Sequence, residues 1–425
     1  MRILIRPGGL EWTNLGDVAM AQVAVKRLAA LWPQARVDVI TRSAERLAAF
    51  CPGTFPVPAA GQAGWLSEGS VFGGRLYSAL IPRRLRIPAG RAEAYFRRRW
   101  PRLAHSAVRV GELRRPLQQR TLTAFSRALL QADLFVVSGA GDINSAFEPQ
   151  AEMLLDLIEL AKTLGVPTLL FGQGVGPVQS ERLRARASKV LPHVDFIGVR
   201  ESRRGVALLT EMGVDARRVM VTGDDALELA YDARMPQSDN RIGVNVRRAA
   251  YAEVDDAQLE ELRPVLREAA VRHGTHLMPL PVRLTGFDSD VQALDRLLAP
   301  DLVDRSLDQV ASPLDLVRRI GRCRLVVTGS YHAAVFALAQ GIPAVALARS
   351  DYYVDKFLGL ADQFQGGCEL VDLGTPNVSG RLAAAVDRAW AQADDLRPRL
   401  RAAAARQIAA GRQAYERARE FAPAI

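Results

Sequence analysis

Cysteine, lysine and long apolar runs are all scarce in this 425-residue chain. Its three cysteines, Cys51, Cys323 and Cys368, lie far apart and none sits in CxxC spacing. That excludes a disulfide framework and a zinc ribbon. No run of about 18 uncharged apolar residues occurs, so no segment reads as a membrane-spanning helix. The opening Met1–Arg6 reads as a first strand, too short and too interrupted for a signal peptide. The compartment these features point to is the cytoplasm. Also missing are a P-loop, an HExxH helix, a Ser-His-Asp order and any cluster with metal-ligand spacing, so no metal site is expected.

Basic charge is plentiful, but lysine supplies little of it. The net charge of +10 rests on arginine, because lysine occurs only at positions 26, 162, 189 and 356. The arginines cluster in Arg83-Arg84-Leu85-Arg86, Arg97-Arg98-Arg99-Trp100 and Arg114-Arg115, between residues 80 and 120. A basic segment with interleaved aromatics suits peripheral contact with anionic lipid, or a lipid pyrophosphate, as well as a plain solvated face. No nucleic-acid-binding motif accompanies it, so nucleic acid is not an expected partner.

Short apolar runs alternate with stretches of helical periodicity. In the first half they are Arg2–Arg6, Val37–Thr41, Leu134–Ser138, Thr168–Phe171, Phe196–Val199 and Val219–Thr222. In the second they are Ile242–Val246, His276–Leu280, Leu302–Asp304, Leu325–Thr328, Ala344–Leu347 and Glu369–Asp372. This rhythm predicts an α/β protein with two Rossmann-like domains, each built on a parallel sheet. The polar segment 231–240 carries a proline and precedes a fresh strand, which puts the boundary between residues 1–235 and 236–425. Residues 55–125, rich in Gly, Pro and Arg, read as an insertion in the first domain. The Ala- and Arg-rich tail from Ser379 reads as helical, able to pack back on the first domain.

Two facing domains of this kind bring their strand C-termini to one cleft. The chemistry-bearing residues should therefore follow strands, and they do. After the first strand come Pro7-Gly8-Gly9 and then Asn14-Leu15-Gly16-Asp17, where Asn14 or Asp17 caps a helix or meets a ligand. Ser138-Gly139-Ala140-Gly141-Asp142-Ile143-Asn144 and Gly172-Gln173-Gly174-Val175-Gly176-Pro177 are glycine-dense turns at consecutive strand ends, suited to close backbone approach. Arg200 in Val199-Arg200-Glu201-Ser202 can grip an anion or pair internally. Asp224 or Asp225, with Asp225 the expected catalytic group, can serve as a general base towards a sugar hydroxyl, or can cap a helix. Arg247 ends a strand of the second domain and suits a carboxylate or phosphate. The run Thr328-Gly329-Ser330-Tyr331-His332 places a titratable imidazole in the first turn of a helix, beside Ser330, where unpaired N–H groups attract anions. Lys356, one of so few lysines, follows the next strand.

The order of these motifs resembles the polysaccharide pyruvyltransferase family, whose members have two facing Rossmann-like domains similar to the B-type glycosyltransferase fold. The match covers most of the chain and omits 55–125. The resemblance implies transfer of pyruvate from phosphoenolpyruvate, a donor substrate rather than a cofactor, onto two hydroxyls of a cell-surface polysaccharide or its precursor, free or lipid-linked. It implies His332 as the active-site histidine, Lys356 as a cation near the donor, an acceptor side in the first domain and a donor side in the second. Ser330 departs from the family pattern, which carries arginine two residues before the histidine. Arg247, Arg349 or an arginine of the 80–120 segment would then have to supply that charge. A B-type glycosyltransferase using another activated donor, and a non-catalytic glycan-binding homologue, are the alternative readings.

Overall fold

The computed structural model describes residues 1–68, 82, 85–113, 120–139, 141–235, 239–286, 288–298 and 310–423. Among them the first domain holds β1 (Arg2–Pro7), β2 (Arg36–Thr41), β3 (Phe55–Pro58), β4 (Leu134–Ser138), β5 (Thr168–Gln173), β6 (Phe196–Val199) and β7 (Val219–Val221). The second holds β8 (Arg241–Asn245), β9 (Leu277–Pro279), β10 (Cys323–Thr328), β11 (Ala344–Ala348) and β12 (Cys368–Asp372). Both sheets are parallel, in the orders β3-β2-β1-β4-β5-β6-β7 and β12-β11-β10-β8-β9. The strand-length apolar runs of the first half all become strands. Leu302–Asp304 lies outside the described residues, as do Arg83, Arg84, Arg114 and Arg115.

One strand departs from the sequence reading. Phe55–Pro58 was assigned to the insertion, yet it pairs with β2 from Asp38↔Phe55 to Thr41↔Pro58. Two prolines in four residues argue against a strand, and this one is tolerated because it sits at the sheet edge, where one row of donors has no neighbour to serve.

Strand order fixes where the cleft forms. The order reverses between β1 and β4 in the first sheet and between β8 and β10 in the second, and such switch points open a crevice beyond the strand C-termini. Both crevices face each other. The loop after β1 and the loop after β9 zip together: Leu15 N–H donates to the Val282 carbonyl at 2.9 Å and Leu284 N–H to that of Thr13 at 3.1 Å.

The packing crosses the boundary too. Leu15, Ala19 and Met20 of the helix Leu15–Leu31 share one core with the helix Tyr331–Gln340. All ten residues of that second helix are buried, its alanines allow close packing, and left-handed Gly341 ends it at φ 84°. The 39-residue helix Val378–Glu416 starts against the second sheet through Leu382, Ala385 and Val386. It ends on the first, where Tyr415 stacks on Phe171 at 3.9 Å. Among the described residues no helix is long and apolar enough to cross a membrane.

Candidate active site

A cavity of about 490 Å³ occupies the cleft between the two switch points. His332 enters from the second domain and is nearly inaccessible. Its ring lies against Gly16 of the first domain so closely that a Cβ there would stand 2.0 Å from the imidazole Cγ. Asn14 caps the helix holding Gly16, accepting from the Gly16 N–H at 3.0 Å, and also lines the cavity. Gly16 is therefore required by protein–protein approach across the cleft.

Beside His332 stand two cations from different domains. Arg200 leaves the end of β6 and Lys356 projects from the helix Asp351–Phe364. A Cβ on Gly141 would lie 3.0 Å from Arg200 Nη2 and 3.4 Å from Lys356 Nζ, and one on Gly174 would lie 2.5 Å from Arg200 Nη2. These glycines cradle the cations. The guanidinium of Arg200 also sits 4.4 Å over the Tyr331 ring, and Lys356 Nζ bonds the Tyr352 hydroxyl while lying 3.9 Å over that ring. Arg200 Nε and Nη2 are buried without a hydrogen-bond partner among the described residues, as is His332 Nε2. The two open guanidinium donors of Arg200 await an acceptor.

The carboxylates answer these charges. Asp224 Oδ2, without a hydrogen bond among the described residues, lies 3.8 Å from His332 Nε2 and 3.7 Å from Arg200 Nη1. Burial pushes the Asp224 carboxyl up to about 6, against the pull of Arg200. Asp17 lines the cavity, and desolvation with nearby Asp142 pushes it up to about 6, Lys356 and Arg200 opposing. Burial, then Arg200, then Lys356 hold His332 well below its usual range, so the imidazole is neutral at pH 7. Desolvation and Arg200 likewise hold Lys356 well below the usual lysine range. A bound anion would relieve both.

Other residues singled out in the sequence take different places. Asp225 does not face the cavity. It accepts from Arg27 Nη1 at 2.6 Å and from the Tyr415 hydroxyl at 2.8 Å, so its lone pairs serve the joint between the first domain and the long helix. Its neighbour Asp224 is the carboxylate turned to His332. Arg247 lines the cavity with its donors committed: Nη1 to Asp290 Oδ1 at 2.9 Å, Nη2 to Asp288 Oδ2 at 2.7 Å and Nε to the Tyr251 hydroxyl at 3.0 Å. Asp142 lines the cavity and pairs with Arg6 at 2.6 Å. Gln173 gives its amide to the Gly139 carbonyl at 2.6 Å, and Asn144 bonds the Gly141 carbonyl, so both shape the cradle from outside the cavity. Gly139, at φ 70°, makes room for Met20. Ser330 lines the cavity and donates its N–H to Thr328 Oγ1 at 2.8 Å. Arg349 is exposed and outside the cavity lining.

Sequence reasoning missed the aromatic wall. Phe147 of the first domain meets Tyr251 at 4.8 Å and Tyr352 at 5.6 Å, and Tyr353 stacks on Tyr251 at 6.0 Å. The spacing of Tyr352 and Lys356 at i, i+4 was the available signal, since it puts ring and ammonium on one helix face.

Comparison with known proteins gives two kinds of likeness. A family model described as polysaccharide pyruvyl transferase matches residues 14–351. The amylovoran biosynthesis protein AmsJ of Erwinia amylovora is 24% identical over 291 residues, 63% of this chain and 65% of that protein. The match thus spans just under two thirds of that relative's length. Among solved structures, the putative UDP-N-acetylglucosamine 2-epimerase of Listeria monocytogenes superposes with a TM-score of 0.57 at 12% identity, covering 99% of this chain and 96% of that one. The UDP-GlcNAc 2-epimerase of Neisseria meningitidis gives 0.56 at 13% identity, covering 99% of each chain. A glycosyltransferase of Rickettsia africae gives 0.54 at 9%, covering 99% of this chain and 97% of that one. Identities this low carry the fold alone, the two-domain architecture similar to B-type glycosyltransferases.

Proposed function

Because the chain belongs to the polysaccharide pyruvyltransferase family, we propose that it transfers pyruvate from phosphoenolpyruvate onto two hydroxyls of a sugar in a polysaccharide or its precursor, free or lipid-linked. The observation that carries this reading is the meeting of Arg200 and Lys356 at Gly141 beside His332, with Arg200 Nε and Nη2 open among the described residues. A donor bearing both a phosphate and a carboxylate needs two cations at close range. Arg200, arriving from the first domain, supplies the charge that Ser330 does not.

The chemistry follows from charge. Proton addition to the donor methylene leaves an oxocarbenium-like carbon. One sugar hydroxyl attacks it, phosphate departs, and the second hydroxyl closes the ketal. Two hydroxyl protons are lost: one equivalent balances the new methyl group, and the other leaves on inorganic phosphate. Binding of the anionic donor offsets Arg200 and Lys356, which raises the proton affinity of His332 and lets it hold the proton in transit. Asp224, next to Nε2, stabilises the imidazolium so formed. Asp17, pushed up to about 6, is suited to take a proton from the acceptor.

Calorimetric titration with phosphoenolpyruvate, followed by an assay of acceptor-dependent phosphate release, tests the reading. Saturable binding lost in Lys356→Ala supports it. Binding of a nucleotide sugar with none of phosphoenolpyruvate would overturn it in favour of another activated donor.

A further inference from the structure

Two helices of the first domain, Arg86–Arg99 and Pro101–Glu112, present a face that neither the cleft chemistry nor the core uses. Their inward positions are settled. Gly90, Ala94 and Arg97 are buried on the first, and Pro101, Ala104, Val108 and Glu112 on the second. Arg97 Nε donates to the Trp65 carbonyl at 2.9 Å, and Arg98 Nη2 to Asp156 at 2.7 Å. The pair is thereby fixed to the domain.

Its outward face is unusual for a water-facing surface. Of the eleven exposed large hydrophobic side chains among the described residues, seven lie between Leu85 and Leu113. Leu103 (63% exposed) and Val110 (68%), seven residues apart, share one face of the second helix. Ile87 (68%) and Tyr95 (63%) share a face of the first, and Trp100 stands at the corner. Charge is interleaved with this apolar surface. Arg99, Arg102 and Arg109 are exposed and form no ion pair among the described residues. Between Leu85 and Leu113 only two acids occur, and both turn inward: Glu93 pairs with Arg97 at 2.8 Å, and Glu112 accepts from the Thr123 N–H at 3.0 Å.

We propose that this helical pair docks the protein on an anionic bilayer, its apolar side chains entering the boundary between headgroups and acyl chains and its arginines meeting lipid phosphates. Short amphipathic helices with arginine beside Leu, Ile and Val, and with Tyr and Trp at their margin, suit that boundary because each part finds its own medium. A nucleic acid would use the arginines and leave Leu103 and Val110 in water, so the apolar stripe argues for lipid. The placement is also apt. Helix Glu148–Thr163 begins beside the cavity, which Phe147 and Gln150 line, and holds Arg98 through Asp156, about 9 Å further along the same rod. A docked bilayer would therefore stand in a fixed relation to the cleft. The docking itself does not depend on which reaction the cleft performs.

Co-sedimentation of the full chain with vesicles tests this, using phosphatidylcholine alone and phosphatidylcholine with a third of phosphatidylglycerol. Binding is expected to the anionic vesicles, weakened about tenfold or more in Arg102→Glu with Arg109→Glu, at roughly one factor of five per basic residue. Leu103→Ser with Val110→Ser should also weaken it, with unchanged melting temperature because neither side chain is packed. A blue shift of tryptophan emission on binding, absent in Trp100→Phe, would locate the contact. Three outcomes overturn the proposal: vesicle binding indifferent to both double variants, binding of duplex DNA that matches the anionic vesicles and ignores Leu103→Ser with Val110→Ser, or self-association abolished by that same pair without lipid.

Discussion

Arg200 and Arg247 both emerge just past strand C-termini, β6 in one domain and β8 in the other, and both are nearly inaccessible. They are used in opposite ways. Around Arg247 every element supplies an acceptor: two aspartates, a carbonyl and a phenol. Around Arg200 the neighbours are glycines, an aromatic face and another cation, with Asp224 3.7 Å away and Nε and Nη2 open among the described residues. A saturated buried arginine is a strut whose removal strands acids. An unsaturated one is held ready for something that arrives, and the fold sustains its desolvation meanwhile. Two residues of one type at comparable burial thus separate into structure and chemistry by the partners they lack.

The sharpest way to break this comparison is Arg200→Met. Loss of a preorganised cation facing the donor should lower kcat/KM for phosphoenolpyruvate by about a thousandfold, roughly 4 kcal/mol of transition-state stabilisation. Thermal stability should hold or rise, because Asp224 can protonate when Arg200 goes and Lys356 loses a repulsive neighbour. Steady-state kinetics with a melting curve reads both. Full activity with a large drop in melting temperature would make Arg200 the strut.

Arg247→Met should reverse that pattern. It strands Asp288 and Asp290 and should cost about 3 kcal/mol in urea unfolding, at the low end for a broken buried pair. The cost stays low because Asp290 keeps the Val282 and Arg283 N–H groups at 2.9 Å and Asp288 keeps Arg283 at 2.7 Å. Unaltered stability with lost donor affinity would instead make Arg247 a donor contact.

Much of this was legible in the sequence, and the rest fails for identifiable reasons. Apolar runs bounded by turn residues located the strands because parallel sheets bury both faces, whereas Phe55–Pro58 was hidden by prolines that only an edge strand accepts. The glycine turns announced close approach correctly. What approaches, Arg200 at Gly174 or His332 at Gly16, comes from the end of another strand or from the other domain. Asp224 and Asp225 differ by one step at the start of a helix, and their roles are divided by Tyr415, about 190 residues on, which claims Asp225. Local pattern cannot carry that information. The aromatic wall escaped because Phe147, Tyr251 and the Tyr352–Tyr353 pair come from three elements far apart in the chain, and only the Tyr352–Lys356 spacing was visible.

The comparison extends, with a smaller effect, to the acids opposite the two arginines. Asp288 and Asp290 are ion-paired to Arg247, while Asp17 is pushed up to about 6 from an ordinary 3.8 by desolvation and then by Asp142. Between those two values the folded chain binds the Asp17 proton more tightly than the unfolded chain does. Stability from this group is therefore full below 3.8 and is lost as pH rises through about 6. Solvent access through the cavity limits the loss to about 2 kcal/mol at neutral pH. Asp17→Asn has no proton to lose, so its stability advantage over the natural chain should grow from about pH 4 to pH 6.5 and then level off. Taking the difference between the two proteins cancels most of the parallel titration of Asp224 and the opposing titrations of His332 and Lys356. Urea unfolding across that range is the measurement. An advantage that stays flat would mean that Asp17 titrates as it does in the unfolded chain, and the proton from the acceptor hydroxyl would then have to go to Asp224.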